Sequence, residues 1–271
     1  MELTPKQFQK FQEFIYSACG IRLPEAKRVL LSNRLRRRVR ALGLESFDDY
    51  HRLVTSAAGK DEFPEFLNVV TTNETFFFRT EKHFEWFQTD FINEKLQQAR
   101  TGGAKSLRVW SAACSTGEEP YSLAICLAQN QLRLRDWKLQ ILGTDLSEDA
   151  LTAARAGSYN DRSVDALTDT QRRRYLKNEA DGRWSVKPAI REFVTFQHHN
   201  LINRLPQPSF DCIFIRNVLI YFDRDSKRKV VGHLINALKP GGYLVVGPSE
   251  GIYDMLEPLK KHSTFLYQKA T

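Results

Sequence analysis

Two acidic side chains follow directly on a glycine in the loop after an apolar run, and that arrangement could do chemistry. The run Leu107–Ser111 leads into this loop, where Gly117 precedes Glu118 and Glu119. Gly117 permits an unusual turn, and the helix predicted to follow offers free backbone N–H groups. Because two acids would repel a pyrophosphate, the loop does not suit a dinucleotide. A cationic ligand, such as a sulfonium with an α-amino group, suits it better.

A further acid ends the next apolar run. The run Leu139–Thr144 is followed by Asp145. An acid at the end of a second strand accepts hydrogen bonds from both hydroxyls of a ribose, as acids do in dinucleotide folds. Aspartate is also a common N-cap of a helix, and that alternative stays open for Asp145. The two acidic sites together favour a ligand with a cation and a ribose.

These acids must be positioned by an alternation of strands and helices in the second part of the chain. Such alternation predicts an α/β fold, a Rossmann-like and mainly parallel sheet with helices on both faces. Ligands of such sheets bind at the carboxyl ends of the strands, near the switch point of the strand order. The predicted strands are Leu107–Ser111, Leu139–Thr144, Val194–His198, Phe210–Ile215, Tyr243–Gly247 and Thr264–Gln268, and the predicted helices are Tyr121–Gln129, Glu148–Ala156 and Asp225–Leu238.

The first hundred residues have a different pattern, that of helices joined by short turns. An apolar helical stripe is formed by Leu31, Leu35, Val39 and Leu42, and further helices are predicted from near Asp61 into the segment 67–79 and over 81–98. We therefore expect a helical N-terminal domain and linker over 1–100 and a larger domain over 101–271. Residues 157–192 break the strand–helix alternation and are predicted to form a small inserted β-subdomain with a hairpin.

Composition limits the class of protein. We expect no signal peptide at the N-terminus, which lacks an apolar core and a cleavage site, and no apolar run reaches the roughly 18 residues that cross a bilayer. The four cysteines lie far apart without metal-ligand spacing, so we expect reduced thiols, no metal and a cytoplasmic protein. The net charge of +8 favours a polyanionic partner, either nucleic acid, an acidic membrane surface or an acidic protein.

Five long motifs, in order along the chain, resemble those of the CheR-type chemotaxis receptor methyltransferases, which are protein-glutamate O-methyltransferases. The motifs are TTNETFFFR (71–79), SAACSTGEEPYS (111–122), TDLS (144–147), FDCIFIRNVLIYF (210–222) and LKPGGYLVVGPSE (238–250). The resemblance covers nearly the whole chain. It implies a helical N-terminal domain, a Rossmann-like methyltransferase domain with a small β-subdomain, and S-adenosylmethionine as the methyl donor.

The resemblance also implies roles for particular residues. Arg79 would hold the methionine carboxylate of the cofactor or orient the acceptor, and Tyr221 would line the transfer site. A helix-capping or surface role for Arg79, and simple packing under the sheet for Tyr221, stay as alternatives. At least two of Phe76–Phe78 are expected in the core, and His198 and His199 are interpreted as structural. The residues implied to contact S-adenosylmethionine, or its product S-adenosylhomocysteine, are Asn73, Thr75, Arg79, Glu119, Asp145, Asn200, Leu201, Arg216 and Asn217.

Residues 25–40 carry seven basic side chains against one acid. They belong to the helix with the apolar stripe and form either a solvated face or a patch that docks on an acidic partner. The candidates for docking are Lys27, Arg34, Arg37 and Arg38. The resemblance implies that this partner is the cytoplasmic signalling region of chemoreceptors, whose helical bundles present acidic faces.

A carboxylate acceptor is ionised at neutral pH, so the reaction needs no general base. A nucleic-acid methyltransferase is the main alternative, since the sequence pI is near 9.3. Such enzymes usually need a pocket for a flipped base, and the fourth strand here ends in Arg216-Asn217-Val218 without an NPPY-like motif. An adaptor that binds the cofactor without catalysis is a third reading, against which the complete set of family residues argues. We expect a monomer that inserts into no membrane and binds no nucleic acid.

Overall fold

The structure is a computed structural model that describes residues 1–206 and 209–271. Its first hundred residues form helices, which begin where capping residues lie. Thr4 and Gln7 form a reciprocal capping box at the first helix, and Ser46 accepts from the Asp49 N–H at the third. A π-helical turn, Phe87–Phe91, joins the last two helices. The helices are α1 (Pro5–Cys19), α2 (Arg28–Ala41), α3 (Phe47–Val54), α4 (Glu62–Val70), α5 (Glu81–Trp86) and α6 (Ile92–Arg100).

Strands begin after α6 and alternate with helices, as predicted. The elements are β1 (Ser106–Ala112), α7 (Glu118–Gln129), β2 (Lys138–Asp145), α8 (Glu148–Ala156), β3 (Ser158–Tyr159), α9 (Asp161–Val164), α10 (Asp169–Tyr175), β4 (Leu176–Asn178), β5 (Trp184–Val186), α11 (Pro188–Arg191), β6 (Val194–His198), β7 (Phe210–Ile215), α12 (Arg224–Ala237), β8 (Leu238–Val246), β9 (Leu259–Lys261) and β10 (Leu266–Lys269).

Seven strands form one twisted sheet in the order β6-β2-β1-β7-β8-β10-β9. The pairs from β6 to β8 are parallel, and β10 runs antiparallel to both of its neighbours. The strand order therefore reverses between β1 and β7. In a sheet of this kind, the crevice at the carboxyl ends beside that switch point is where ligands bind. The Rossmann-like fold class predicted from the sequence is confirmed.

Both faces of the sheet are buried because its central strands are apolar at nearly every position. Val109 and Phe214 pack against α5–α7, whereas Trp110 and Ile213 point to the opposite face and pack against α12. Such strands buried on both sides are typical of parallel sheets.

A third core lies among α1–α4, where Leu31, Leu35 and Val39 of α2 are buried. The predicted stripe is wrong at its last position. Leu42 is 40% exposed because α2 ends at Ala41, before the left-handed Gly43. The helix expected from near Asp61 into the segment 67–79 ends within that segment, at Val70, and residues 71–80 form a non-helical connecting segment.

The stretch between α8 and β6 forms a separate three-stranded antiparallel sheet in the order β3-β5-β4. The hairpin expected there is present as the pair β4 and β5. In the main sheet, β8 starts at Leu238, five residues before the predicted start, and β9 was not predicted at all. Among the described residues, no helix is long and apolar enough to span a membrane.

Candidate active site

A cavity lies at the carboxyl ends of the parallel strands, between the sheet and the N-terminal helices. Its walls come from β1, β2 and the loop after β7 on one side and from α2 and the connecting segment on the other. All nine residues that the resemblance assigns to the cofactor line it, together with Lys27, Arg34 and Tyr221. Those nine are Asn73, Thr75, Arg79, Glu119, Asp145, Asn200, Leu201, Arg216 and Asn217.

The loop after β1 requires backbone conformations that side chains rarely adopt. Ala113 and Ser115 have φ of 60° and 50°, and Gly117 has φ of 95°. A Cβ atom on Gly117 would also lie 2.8 Å from the Cβ of Ala154 in α8. A glycine is therefore needed at this position for two independent reasons, its conformation and the close approach of α8.

Asp145 holds this loop in place. Its Oδ2 accepts from the backbone N–H of Ser115 at 2.8 Å, and its Oδ1 accepts from that of Ser147 at 2.9 Å. Burial raises the pKa of this carboxyl, while the N–H donors act in the opposite direction. The alternative that Asp145 caps α8 is wrong, because the N-cap is Ser147, whose hydroxyl accepts from the Ala150 N–H. Asp145 thus faces the cavity with both oxygens oriented by the backbone.

The two acids after Gly117 have different surroundings. Glu118 is buried and accepts from the Thr116 hydroxyl at 2.7 Å. Glu119 lines the cavity, and it accepts from Ser111 Oγ at 2.7 Å and from Arg216 Nη1 at 2.9 Å. Only the second acid of the pair therefore belongs to the cavity wall.

Arg216 is the most deeply buried cation of the site. Its second terminal nitrogen donates to the backbone carbonyl of Arg79, and its guanidinium carbon lies 5.4 Å from the ring centroid of Phe84. Burial lowers its pKa, and the neighbouring Glu119 counters that effect. Its Nε is buried without a partner among the described residues. Arg216 thus links the first turn of α7 to the connecting segment.

Arg79 ends the connecting segment and lines the cavity. Its Nη1 donates to the Glu74 carbonyl at 2.9 Å, and its guanidinium carbon lies 5.7 Å from the ring centroid of Phe76. The residue before α5 is Thr80, so the capping alternative for Arg79 is wrong. The expectation that two of the three phenylalanines belong to the core is confirmed, since Phe77 is buried and Phe78 packs partly buried against it.

The structure gives Asn200 an additional contact that the sequence did not predict. Its side-chain Nδ2 donates to the Ala18 carbonyl at the end of α1, at 2.8 Å, and its Oδ1 accepts from the Ile202 N–H. The neighbouring His199, whose sequence context indicates a structural role, lines the cavity as well. Its Nε2 is buried without a partner among the described residues, and burial lowers its pKa.

Tyr221 lies on the loop after β7, half-buried at the cavity wall. Its carbonyl accepts from the Arg22 N–H at 2.8 Å, and Phe222 forms a β-bridge with Ile21. It packs partly against the core below the sheet and also lines the cavity, so the packing alternative holds and the role at the transfer site stays a prediction.

Glu250 stabilises the loop after β7, a role that the sequence did not predict. It is 1% exposed, follows β8, and accepts from the backbone N–H groups of Asn217 and Leu219, the second at 2.8 Å. These bonds hold Asn217 in a left-handed conformation with φ of 60°. Glu250 lies in the quoted motif LKPGGYLVVGPSE, but its partners are 31–33 residues away, which no local pattern reveals.

The four docking candidates on and before α2 differ in their contacts. Lys27 and Arg37 are exposed. Arg38 forms a two-pronged ion pair with the buried Glu62, at 2.8 and 2.6 Å. Arg34 donates to the carbonyls of Val69, Val70 and Thr71 at the end of α4, at 3.0–3.1 Å. The expectation of one basic docking patch is corrected for Arg34 and Arg38, because intramolecular partners hold both side chains.

The residues present fit S-adenosylmethionine. Glu119 and Asp145 supply negative charge at the start of α7 and at the end of β2, and Ala113, Cys114 and Ser115 line the cavity as well. Arg79 supplies a cation for a carboxylate. With the reversal of strand order between β1 and β7, these features define a Rossmann-like S-adenosylmethionine-dependent methyltransferase.

Comparisons with known proteins identify the family. Residues 73–266 match the model of the "CheR methyltransferase, SAM binding domain", and residues 6–71 match that of the "CheR methyltransferase, all-alpha domain". The chain belongs to the CheR methyltransferase family. It is 37% identical to the chemotaxis protein methyltransferase 1 of Pseudomonas aeruginosa, over 94% of this chain and 93% of that protein. It is 38% identical to a probable chemotaxis protein methyltransferase of Rhizobium etli, over 88% and 90% of the two chains, and 34% identical to the chemotaxis protein methyltransferase of Salmonella typhimurium, over 98% and 91%.

Proposed function

We propose that this chain transfers the methyl group of S-adenosylmethionine to glutamate side chains in the cytoplasmic signalling region of chemoreceptors. The products are glutamate methyl esters and S-adenosylhomocysteine, and the process is sensory adaptation in chemotaxis. The observation that carries this proposal is that Glu119 and Asp145, two of the three acids that line the cavity, are already engaged, while the third, Glu74, is exposed and lies 3.4 Å from Arg162. Glu119 accepts from Ser111 and Arg216, and Asp145 accepts from two backbone N–H groups.

Engaged carboxylates are poor general bases, and this favours an acceptor that is already ionised when it enters the cavity. A glutamate carboxylate meets this need, since its usual pKa of about 4.3 leaves it ionised at neutral pH. S-adenosylmethionine supplies an electrophilic methyl group. The task of the chain is then to align the acceptor behind that methyl group and to keep water out.

We propose roles for the residues of the cavity accordingly. Asp145 holds the ribose, Glu119 contacts the methionine end, and Asn200 with Leu201 frames the adenine. Arg79 holds the methionine carboxylate or orients the acceptor, and Tyr221 lines the path of transfer. Asn73, Thr75, Arg216 and Asn217 complete the cofactor wall.

We further propose that Lys27 and Arg37 dock an acidic receptor helix, since both lie exposed on or beside α2. In this proposal residues 1–100 are the helical domain and linker, 101–271 the methyltransferase domain and about 157–192 its inserted subdomain. The chain acts as a cytoplasmic monomer.

The proposal is tested by incubating the purified chain with labelled S-adenosylmethionine and a receptor cytoplasmic fragment. We expect label on the fragment that is released by mild base, because carboxylate methyl esters hydrolyse in base. A fragment with alanine in place of the labelled glutamates is the control and should take up none. Base-stable label, or label that appears in added RNA and not in the fragment, would contradict the proposal and favour the nucleic-acid alternative.

A further inference from the structure

We propose that the acceptor is recognised through an apolar rim around the cavity opening, formed by Leu30, Phe76 and Ile220. The partner that fits it is a helix on which the reacting glutamate is flanked by aliphatic side chains one turn away. This inference rests on the proposed function and names a feature of the acceptor beyond its acidic charge.

The rim consists of large apolar side chains that the fold leaves exposed. Leu30, Phe76 and Ile220 are 39%, 40% and 44% exposed. They come from three separate parts of the chain: α2, the connecting segment and the loop after β7. Leu30 lines the cavity itself, while the others lie next to Thr75 and Tyr221, which line it. The ring centroid of Phe76 also lies 5.7 Å from the guanidinium carbon of the cavity-lining Arg79. Exposed apolar groups that belong to one patch mark an interaction site, whereas scattered ones do not.

Each rim residue is held by neighbours with fixed contacts. On the connecting segment, the backbone N–H groups of Phe77 and Phe78 donate to the Ser163 carbonyl and to Ser122 Oγ, both at 2.9 Å. Next to Ile220, Leu219 is fully buried and its N–H donates to Glu250. Leu30 precedes the buried Leu31 of α2. The rim is thus preorganised, which reduces the entropy lost when a partner binds.

The charges beside the rim are mainly basic. Lys27, Arg37 and Arg22 are exposed there, and the backbone N–H of Arg22 binds the Tyr221 carbonyl. Glu74 is the one acid of the connecting segment. Its Oε1 lies 3.4 Å from Nη2 of Arg162, whose positive charge partly compensates the carboxylate. This mixture of apolar and basic groups complements a helix that carries both carboxylates and aliphatic side chains.

Helical geometry explains why the flanking residues matter. The reacting carboxylate must enter the cavity to reach Arg79 and Tyr221. On a helix, the residues three and four positions away lie on the same face, so they meet the edge of the opening. Aliphatic side chains at those positions would cover the rim, and polar ones would leave it half-solvated.

The inference is tested with three single variants, Leu30→Ser, Phe76→Ser and Ile220→Ser. Each should raise KM for the receptor fragment roughly five- to tenfold, the effect of removing one well-packed interface side chain. The matched control is Leu132→Ser. Leu132 is 93% exposed and lies between α7 and β2, at the edge of the sheet opposite the cavity. The KM of Leu132→Ser for the receptor fragment should equal that of the wild type.

Two readouts separate recognition from damage to the site. Ile220→Ser should bind S-adenosylhomocysteine as the wild type does in calorimetry. Replacing the aliphatic residues three and four positions from the labelled glutamate with serine should raise KM for the wild type but add little for Ile220→Ser, as expected for interacting groups in a double-mutant cycle. Because apolar contacts are not screened by salt, the difference between wild type and variants should persist at high ionic strength.

The possible results distinguish the two proposals. If the wild type forms base-labile esters and all three rim variants keep its KM, the rim inference is overturned while the proposed function stands. If the wild type forms no esters on the fragment, the proposed function is wrong, and the rim inference, which rests on it, is wrong as well. A rise in KM for the rim variants, with none for Leu132→Ser, supports the inference.

Discussion

Glu250 shapes the loop after β7 from behind the cavity wall. Its buried carboxylate accepts from the backbone of Asn217 and Leu219, and so fixes the loop that presents Tyr221. Burial raises the pKa of this carboxyl, which the N–H donors partly counter. A single side chain thereby sets the position of several others, although it does not itself line the cavity.

We expect Glu250→Gln to lower kcat about tenfold, the equivalent of roughly 1.4 kcal/mol, which is the strength of one hydrogen bond to a charged group. The amide keeps the size of the side chain but turns one acceptor into a donor that faces an N–H group. The affinity for S-adenosylhomocysteine should change much less than kcat. Glu257→Gln, at an exposed position, is the control and should behave as wild type. Equal kcat in both variants would show that the loop holds its shape without Glu250.

At the scale of elements, α2 packs into the helical core with one side and lines the cavity with another. Its apolar stripe packs in the helical core, and its side toward the cavity carries Leu30 and Arg34. Arg34 donates hydrogen bonds to the last carbonyl groups of α4 and so caps the end of that helix. The connecting segment that contains Arg79 begins directly after this cap. The end of one helix is therefore fixed by a side chain of another.

Charge reversal on α2 should separate the capping of α4 by Arg34 from the proposed docking of the acceptor by Arg37. Arg34→Glu would place an acid against three carbonyl oxygens, so we expect lower affinity for S-adenosylhomocysteine, by roughly tenfold or more, and a lower Tm. Arg37→Glu, from an exposed position on the same helix, should leave that affinity unchanged and weaken only the use of the acceptor. Calorimetry and the esterification assay measure the two effects. Wild-type cofactor affinity in Arg34→Glu would mean that the cap does not position the connecting segment.

The contacts that the sequence could reveal are the local ones. Helix α8 has its predicted bounds because Ser147 caps one end and Gly157 ends the other. The strands β6 and β7 were likewise predicted correctly from their apolar runs. Contacts between distant residues, such as Arg34 with the end of α4 or Glu250 with Asn217, leave no periodic pattern. The same reason explains why a docking patch was predicted for Arg38, whose partner Glu62 lies 24 residues away.

At the scale of the whole molecule, the helices and the sheet close around one cavity and are tied together beside it. Asn200 binds the Ala18 carbonyl, Arg22 binds the Tyr221 carbonyl, and Ser147 Oγ donates to Asn68 Oδ1 at 3.0 Å. These bonds join α1, α4 and the sheet directly. A ligand in the cavity therefore contacts both parts of the chain.

We expect S-adenosylhomocysteine to stabilise both parts together. At a concentration about 100 times its Kd, it should add about 2.7 kcal/mol and raise Tm by roughly 5–10 °C in one cooperative transition. Calorimetric scans with and without the ligand measure this shift. A separate transition of the N-terminal helices that ignores the ligand would show that the two parts unfold independently.

The loop after β1 has a kinetic consequence. Its left-handed residues Ala113 and Ser115 are strained, and Asp145 and the Thr144 carbonyl hold their neighbourhood in place through the N–H groups of Ser115 and Cys114. The hydrogen bonds within the protein offset the free-energy cost of this loop conformation, so the bound nucleoside is not needed to offset it. Association of the cofactor then involves no ordering of the loop, and loosening the hold of Asp145 would slow the encounter as well as shorten the residence time.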